Sequence, residues 1–467
     1  MFEFLLKEHK YSHIHFIGIG GISMSGLAEI LLDKGYKVSG TDTKESGIIN
    51  RLIDLGAKIY IGHNEDNIKG ADLIIYTDAI AKDNVELIAA SNSAADLVDR
   101  ATFLGALMKN YDTSIAISGT HGKTTTTSML STIATHANLN PTILLGGQLD
   151  EIGGNVKIGN DKYIITEACE YKGNILKYYP TIEIVLNIDE DHLDYFTNLD
   201  HIVDTFIKYG QNLTEEDYLI INADDPHAQK VIDATKAKVI SFGINSNCDY
   251  KAENIILSEE GFPKYTLNYK NEEFVEINLK VMGNHNIYNS IGAIAASHVL
   301  GISLEDISEY IGLYKGVHRR LELIGYIDKI KVLDDYAHHP TEIKASLNAV
   351  RKSTKSRIIC VFQPHTFTRT KSLLNSFSEA FTDADITIIA DIYAARELDN
   401  GEIHSRDLVN RIKAKGNNAV YLSSFEEIEE FINKEAKDDD IVLTMGAGNV
   451  YQIGKNLLAN SKSRKAV

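Results

Sequence analysis

The sequence predicts an α/β protein built as three successive domains. Three observations carry that reading. Apolar runs of strand length alternate with amphipathic helical stretches over nearly the whole chain, the texture of parallel sheets covered by helices. Glycine turns stand between a strand and a helix in each of the first two blocks, at Gly18–Gly21 and at Gly119–Gly122. The 467 residues also exceed what one core holds, so about two to four domains are expected.

In order along the chain, the first block places strands at His13–Ile19, Lys37–Thr41 and Asp72–Thr77 with a helix around Gly26–Leu32, giving a Rossmann-like domain over residues 1–109. A P-loop-type central domain, 110–320, opens on the strand Ser114–Ser118 and continues through Tyr163–Ala168 and Ile182–Ile188. Between Asp249 and Met282 the texture changes to short alternating runs, Tyr265-Thr-Leu-Asn-Tyr269 and Phe274-Val-Glu-Ile-Asn-Leu279, which predict a β-hairpin insertion. A second Rossmann-like block, 321–467, carries strands near Lys331–Asp335, Arg357–Phe362, Ile386–Ala390 and Ile441–Met445.

Bulk composition narrows the function classes. A net charge of -18 argues against a nucleic-acid partner and against an anionic membrane surface. The start, MFEFLLKEHKYSH, is interrupted by Glu3 and Lys7 and does not read as a signal peptide, and no stretch has the length of a membrane span. Cys169, Cys248 and Cys360 are far apart and form no CxxC pair. That usage fits the reducing cytoplasm.

The strongest chemical signal is Ile115-Ala-Ile-Ser-Gly-Thr-His-Gly-Lys-Thr-Thr-Thr-Thr-Ser-Met129. Backbone N–H groups of such a loop and the helix behind it form a nest for phosphate oxygens. Lys123 is placed to reach the β/γ-phosphates and Thr124 to bind Mg²⁺. The strict P-loop spacing wants glycine at position 117, which is Ile117; Gly119 opens a shorter loop. The turn at Gly18, Gly20 and Gly21 is a dinucleotide-type turn with Ser23 in the third fingerprint position, and Asp42 ends the next strand where a carboxylate meets a ribose hydroxyl. A nicotinamide-dependent oxidoreductase would explain this turn and leave the Lys123 loop idle. A ligase or kinase acting on a nucleotide-linked substrate explains both.

Polar clusters follow at strand ends, where α/β proteins put ligands. Glu167 follows one central strand, and Asn187-Ile-Asp-Glu-Asp-His-Leu-Asp194 leaves another with acids around His192. His285, Asn286 and Asn289 open a helix, where asparagine is equally suited to capping. In the last block, Asp334-Asp-Tyr-Ala-His-His-Pro340 and Gln363-Pro-His-Thr-Phe-Thr-Arg369 bring His338, His339 and His365 together with Arg369, and His404 stands downstream.

The order Gly18-Ile-Gly-Gly21, Gly119-Thr-His-Gly-Lys-Thr-Thr125, Glu167, Asp191-His192, Gly283-Asn-His-Asn286 with Asn289, His318-Arg-Arg320, Asp334 to Pro340 and Gln363-Pro-His365 resembles the Mur ligases over essentially the whole chain. The resemblance implies a UDP-substrate domain, a central ATPase domain and a C-terminal domain that closes over ATP and an amino acid. It implies UDP-N-acetylmuramate, L-alanine and ATP as substrates, Mg²⁺ as cofactor, and a monomer or homodimer. By motif position, Gly119, Thr120, His121, Gly122, Lys123, Thr124 and Thr125 would cradle ATP, while Thr124, Glu167 and His192 would organise the metal. His285, Asn286, Asn289, Arg320 and Asp335 would contact the nucleotide. Gly18, Gly20, Gly21, Ser23 and Asp42 would take the UDP-sugar; Tyr336, His338 and Arg369 would receive L-alanine, with His338 as base.

Two departures from the family pattern stand out. The arginine some relatives carry after Gln-Pro-His is Thr366, and the acidic run around the metal glutamate reads Glu167-Ala-Cys-Glu-Tyr-Lys172. Within the family, a recycling ligase that adds a ready-made tripeptide to the same UDP-sugar is the competing reading.

Overall fold

A computed structural model describes residues 2–395 and 397–465, with side chains through Asn460. The chain forms two compact units: Met1–Asp189, Asp200–Lys251 and Ile291–Tyr310 make the first, and Glu190–Leu199, Ala252–Ser290 and Ile311–Val467 the second. The first unit thus joins the N-terminal block to most of the central one. The hairpin insertion falls in the second unit, with the C-terminal block.

The first unit opens with a parallel five-stranded sheet of β1 (His13–Ile17), β2 (Lys37–Asp42), β3 (Lys58–Ile61), β4 (Leu73–Tyr76) and β5 (Asp96–Asp99), in the order β3-β2-β1-β4-β5. The strand order reverses at β1, so the crevice beyond its carboxyl end is a topological switch point. β1 is buried along its whole length, as a central parallel strand covered on both faces must be. The edge strands β3 and β5 escape the apolar-run reading because they are short and half exposed.

Buried polar side chains cross this sheet in one chain. His13 Nε2 and His15 Nδ1 each lie 2.8 Å from Ser39 Oγ, His15 Nε2 lies 3.2 Å from Thr41 Oγ1, and the Thr41 hydroxyl donates to Glu86 at 2.7 Å. Burial pushes the His15 imidazole down to about 4, so it is neutral. The chain fixes Thr41, whose carbonyl accepts the N–H groups of Gly18 and Ile19 at 2.8 and 3.0 Å.

The second sheet of this unit comprises β6 (Thr113–Ser118), β7 (Thr142–Leu149), β8 (Gly154–Lys157), β9 (Tyr163–Glu167), β10 (Ile182–Val185), β11 (Tyr218–Asn222) and β12 (Lys238–Gly243), in the order β12-β11-β10-β6-β9-β7-β8. β6 lies between β10 and β9, which sets the phosphate loop at its carboxyl end. The expected hairpin insertion follows: β13 (Tyr250–Leu257) neighbours β14 (Pro263–Tyr269) across a short turn in which the Ser258 N–H donates to the Phe262 carbonyl, and β14 pairs antiparallel with β15 (Glu273–Asn278). The start of β13 also runs parallel to β12, with Phe242 opposite Tyr250.

Glu183 is a local exception in this core. It is fully buried in β10, and among the described residues neither carboxylate oxygen has a hydrogen-bond partner. Burial pushes its pKa well above the ordinary value. The folded state therefore holds the proton that the unfolded chain releases in the usual carboxylate range. Stability should fall as pH rises above that range while Glu183 stays protonated in the fold. Urea unfolding between pH 5.5 and 7.5 should show this slope in the wild type and lose it in Glu183→Gln. Equal slopes would mean that the carboxyl is solvated.

In the second unit, β16 (Glu322–Ile327), β17 (Ile330–Asp335), β18 (Ile358–Phe362), β19 (Ile386–Ile389), β20 (Ala419–Tyr421) and β21 (Ile441–Met445) form a sheet ordered β16-β17-β21-β18-β19-β20, with β16 antiparallel to β17 and the remaining pairs parallel. Leu333, Ile343, Leu347, Cys360, Phe362, Phe377, Phe381 and Leu443 build the core on one face; Ile359, Val361, Ile388, Ile428, Val442 and Ile453 build it on the other. Among the described residues, no helix is long and apolar enough to cross a membrane.

Candidate active site

The phosphate loop leaves β6 at Ser118. Gly119 (φ +128°) and Gly122 (φ +89°) turn it into the helix Lys123–His136. A Cβ at Gly119 would stand 3.1 Å from the Asn187 backbone nitrogen, so glycine is required for space as well. The segment after β10 clamps the loop. The Thr120 N–H donates to the Asn187 carbonyl (3.1 Å), the His121 N–H to Asn187 Oδ1 (2.8 Å) and the Asp189 N–H to Thr120 Oγ1 (2.9 Å). His121 Nε2 lies 3.2 Å from Asp189 Oδ2. The first half of the acidic segment therefore braces the loop.

Lys123 folds back over this loop. Its ammonium donates to the carbonyls of Gly119 and Thr120 and to Glu170 Oε2 at 3.0 Å. Burial alone would lower its pKa, but the Glu170 carboxylate outweighs that and raises it, so the cation is permanent. Glu170 is buried, and in the sequence only its position three residues after Glu167 marks it. Glu167 ends β9 and accepts the Gly146 N–H at 2.6 Å, and a Cβ on Gly146 would lie 2.9 Å from its other oxygen. Thr124 and Thr125 are buried in the first turn of the helix.

At the other glycine turn, the N–H groups of Gly18 and Ile19 are held by Thr41, and that of Gly20 donates to Asp42 Oδ2 at 2.8 Å. Asp42 also accepts the Thr43 N–H, so its carboxylate braces the turn. Gly21 caps the helix Ile22–Asp33 with extended backbone and no side-chain partner. The first-turn N–H groups, with Ser23 among them, are the ones a helix leaves for an anion.

The second unit holds the remaining expected residues. Asn286 donates to the Met282 carbonyl (2.7 Å) and accepts from Asn289 (2.9 Å), so this pair is satisfied internally at the start of the helix His285–Val299. Asp335, pushed up to about 6 by burial against the pull of Arg320, accepts the N–H groups of Leu321 (2.8 Å) and Ala337 (2.7 Å). Tyr336 lies under both Arg319 and Arg320, with guanidinium carbons 4.9 and 5.1 Å from its ring centre.

The four imidazoles divide. His339 and His404 are helix caps: each accepts a first-turn N–H, from Thr341 and Arg406, and each belongs to a capping box closed by Glu342 or Asp407. His338 and His365 face one another, ring centres 5.7 Å apart. His338 Nδ1 lies 3.0 Å from the Tyr336 carbonyl and 3.4 Å from Glu342, both acceptors. Burial lowers its pKa to about 4. Hydrogen bonding thus assigns a neutral ring with its proton on Nδ1 and its lone pair on Nε2. His365 is the opposite: its Nδ1 faces Arg369 Nη1 at 3.2 Å, a group that only donates, so its proton is on Nε2.

Arg369 already has a carboxylate partner within the fold. Its guanidinium is paired with Asp191, at 3.1 and 3.4 Å. Burial would raise the Asp191 carboxyl, but His192 and Arg369 hold it far below the usual range. An incoming carboxylate must exchange with Asp191 or share the fork. Thr366 has positive φ (+67°), caps the helix Phe367–Ser372 and is tied to the Tyr393 carbonyl at 2.9 Å. It has a structural role in place of the missing arginine. The turn Gly446–Asn449, also overlooked in the sequence, pairs Asn449 with Gln363 through two 3.0 Å bonds and gives its Gly446 and Gly448 carbonyls to Arg319.

Family models match in sequence: the Mur ligase family catalytic domain over residues 13–112, the Mur ligase middle domain over 117–297 and the Mur ligase glutamate ligase domain over 319–448. A UDP-N-acetylmuramate–L-alanine ligase of Acetivibrio thermocellus is 50% identical, covering 98% of each chain. One from Clostridium acetobutylicum is also 50% identical, over 98% of this chain and 100% of its own. The crystal structure of the UDP-N-acetylmuramate–alanine ligase of Thermotoga maritima superposes with TM-score 0.82 at 28% identity, covering 97% of this chain and 99% of that one. A murein peptide ligase from Psychrobacter arcticus shares the fold, with TM-score 0.74 at 24% identity and coverage of 96% and 98%.

Proposed function

The chain belongs to the Mur ligase family, and we propose that it joins L-alanine to the lactyl carboxylate of UDP-N-acetylmuramate in the cytoplasm, converting ATP to ADP and phosphate. The observation that carries this reading is the 50% identity, over 98% of both chains, to a ligase named for that reaction. The working domains are taken as 1–109 for the UDP-sugar, 110–320 for ATP and 321–467 for the amino acid. A monomer or homodimer suffices, since each chain carries every residue invoked.

The lactyl carboxylate attacks the γ-phosphorus in line; the bond to the bridging oxygen breaks and ADP leaves. Lys123, already desolvated and permanently charged, neutralises the equatorial oxygens, and the loop N–H groups hold the phosphates. The alanine amine then attacks the acyl carbon and inorganic phosphate departs. His338 Nε2 takes the amine proton, which its neutral state and Nδ1–H tautomer permit. His365 Nε2–H and Arg369 hold the alanine carboxylate once Asp191 yields.

A divalent metal fits Thr124 and Glu167. Both offer hard oxygen donors, and Glu167 is held in place by Gly146, so the set suits Mg²⁺ with retained waters; His192 is the third expected ligand. When bound, the ion supplies charge neutralisation of the phosphates.

An amino-acid panel assayed with UDP-N-acetylmuramate and ATP, following phosphate release, tests the reading. Turnover with L-alanine is expected. Turnover only with the murein tripeptide would replace it by the recycling reaction, and NAD binding without ATP dependence would discard ligation.

A further inference from the structure

Arg319 and Leu321 flank Arg320 with left-handed backbone, at φ +63° and +47°. Residues with a Cβ adopt that conformation rarely, and it persists only where the surroundings over-determine it. Here they do. The Arg319 carbonyl accepts the Tyr336 N–H at 2.6 Å, and the Leu321 N–H donates to Asp335 Oδ2 at 2.8 Å. The Arg319 N–H donates in turn to Glu322 Oε2 at 2.8 Å. Arg320 therefore lies in a bend pinned on both sides to consecutive residues, Asp335 and Tyr336. Its guanidinium lies 5.1 Å from the Tyr336 ring centre and feels the Asp335 charge.

The Arg319 side chain anchors that bend. Nε donates to Asp334 Oδ2 at 3.1 Å, Nη1 to the Gly448 carbonyl at 3.2 Å and Nη2 to the Gly446 carbonyl at 2.6 Å. Two rings cover the group, with the centres of Tyr336 and Tyr451 at 4.9 and 4.6 Å from the guanidinium carbon. Asp334 is itself fixed, because its other oxygen accepts the Thr444 hydroxyl at 2.6 Å. These partners come from β17, from the turn after β21 and from the helix Tyr451–Lys465. All three guanidinium nitrogens are thus bonded within the protein, in a fork that lysine could not reproduce. The turn carries the link further. Asn449 holds Gln363 through two 3.0 Å bonds, and Gln363 stands two residues before His365. One side chain thereby joins the bend expected at the nucleotide to the strand end expected at the amino acid.

We propose that Arg319 is a positioning residue: by holding the bend 319–321 it presents Arg320 and Asp335 to ATP, without touching the nucleotide itself. This rests on the ligase reading above. The test contrasts Arg319→Ala with Arg319→Gly. Both remove the guanidinium, but glycine adopts the positive φ at no steric cost and alanine does not. For Arg319→Ala the KM for ATP should rise on the order of 30-fold. Arg319→Gly should recover about fivefold of that loss. Calorimetric affinity for UDP-N-acetylmuramate should stay at the wild-type value in both. Tyr451→Leu, a milder change that reaches Arg320 through Arg319, should raise the KM for ATP a few-fold, and it carries the test if the alanine variant does not fold. Equal losses in the alanine and glycine variants would overturn the proposal, by making Arg319 a direct contact of the nucleotide. So would lower melting temperatures with an unchanged KM for ATP, the mark of a merely structural role, or a Tyr451→Leu enzyme with the wild-type KM. If the wild type releases no phosphate from ATP with UDP-N-acetylmuramate and L-alanine, the ligase reading fails and takes the proposal with it.

Discussion

Lys123→Ala is expected to lower kcat by on the order of 1,000-fold or more, while leaving the affinity for UDP-N-acetylmuramate within a few-fold of wild type. The structure explains why the loss should be that large. The ammonium is buried, and its charge is held by Glu170 and two loop carbonyls before any substrate arrives. A preorganised charge in a low-dielectric site stabilises developing negative charge far more than the same group in water. Arginine should not rescue the activity, because a planar fork cannot occupy the compact position between Gly119, Thr120 and Glu170. Phosphate release with all three substrates, alongside calorimetric binding of the UDP-sugar alone, separates catalysis from binding. Phosphate release at the wild-type rate would remove Lys123 from the γ-phosphate.

The loop itself was legible because its information is local: an apolar strand, glycines at positive φ, then lysine and hydroxyls at a helix start. The parallel sheets were legible for the same reason, except for the short edge strands β3 and β5, where too little surface is buried to imprint a pattern. What could not be read was to what each polar side chain is bonded. His339 and His404 look the same as His338 and His365 in a sequence, yet their imidazoles cap helices. Arg369 suited a substrate carboxylate on residue type alone, but the fold brings Asp191 to it from 178 residues away. Asp42 stands at the position of a ribose-binding acid and braces Gly20. Glu170 carries no motif of its own. Its meaning comes only from its partner, Lys123.

Gly105→Ala sets two local rules against each other and predicts which wins. Gly105 lies inside the helix Arg100–Met108, where alanine would gain about 1 kcal/mol of helix propensity. Sterics oppose it. A Cβ there would fall 1.9 Å from the Lys177 carbonyl oxygen and 3.0 Å from its carbon, and a backbone carbonyl cannot rotate aside as a side chain can. The helix must back away from the segment Tyr171–Lys177 by an ångström or more. That movement pulls on the Lys177–Asp99 pair at 2.9 Å and the Arg100–Tyr178 bond at 3.3 Å. Overpacking of this severity costs about 3 kcal/mol, which exceeds the propensity gain. Scanning fluorimetry should therefore show a lower melting temperature, and hydrogen exchange should rise in residues 100–108 and 171–178 first. A higher melting temperature would show that helix propensity prevails and that the close approach at Lys177 is not what requires glycine.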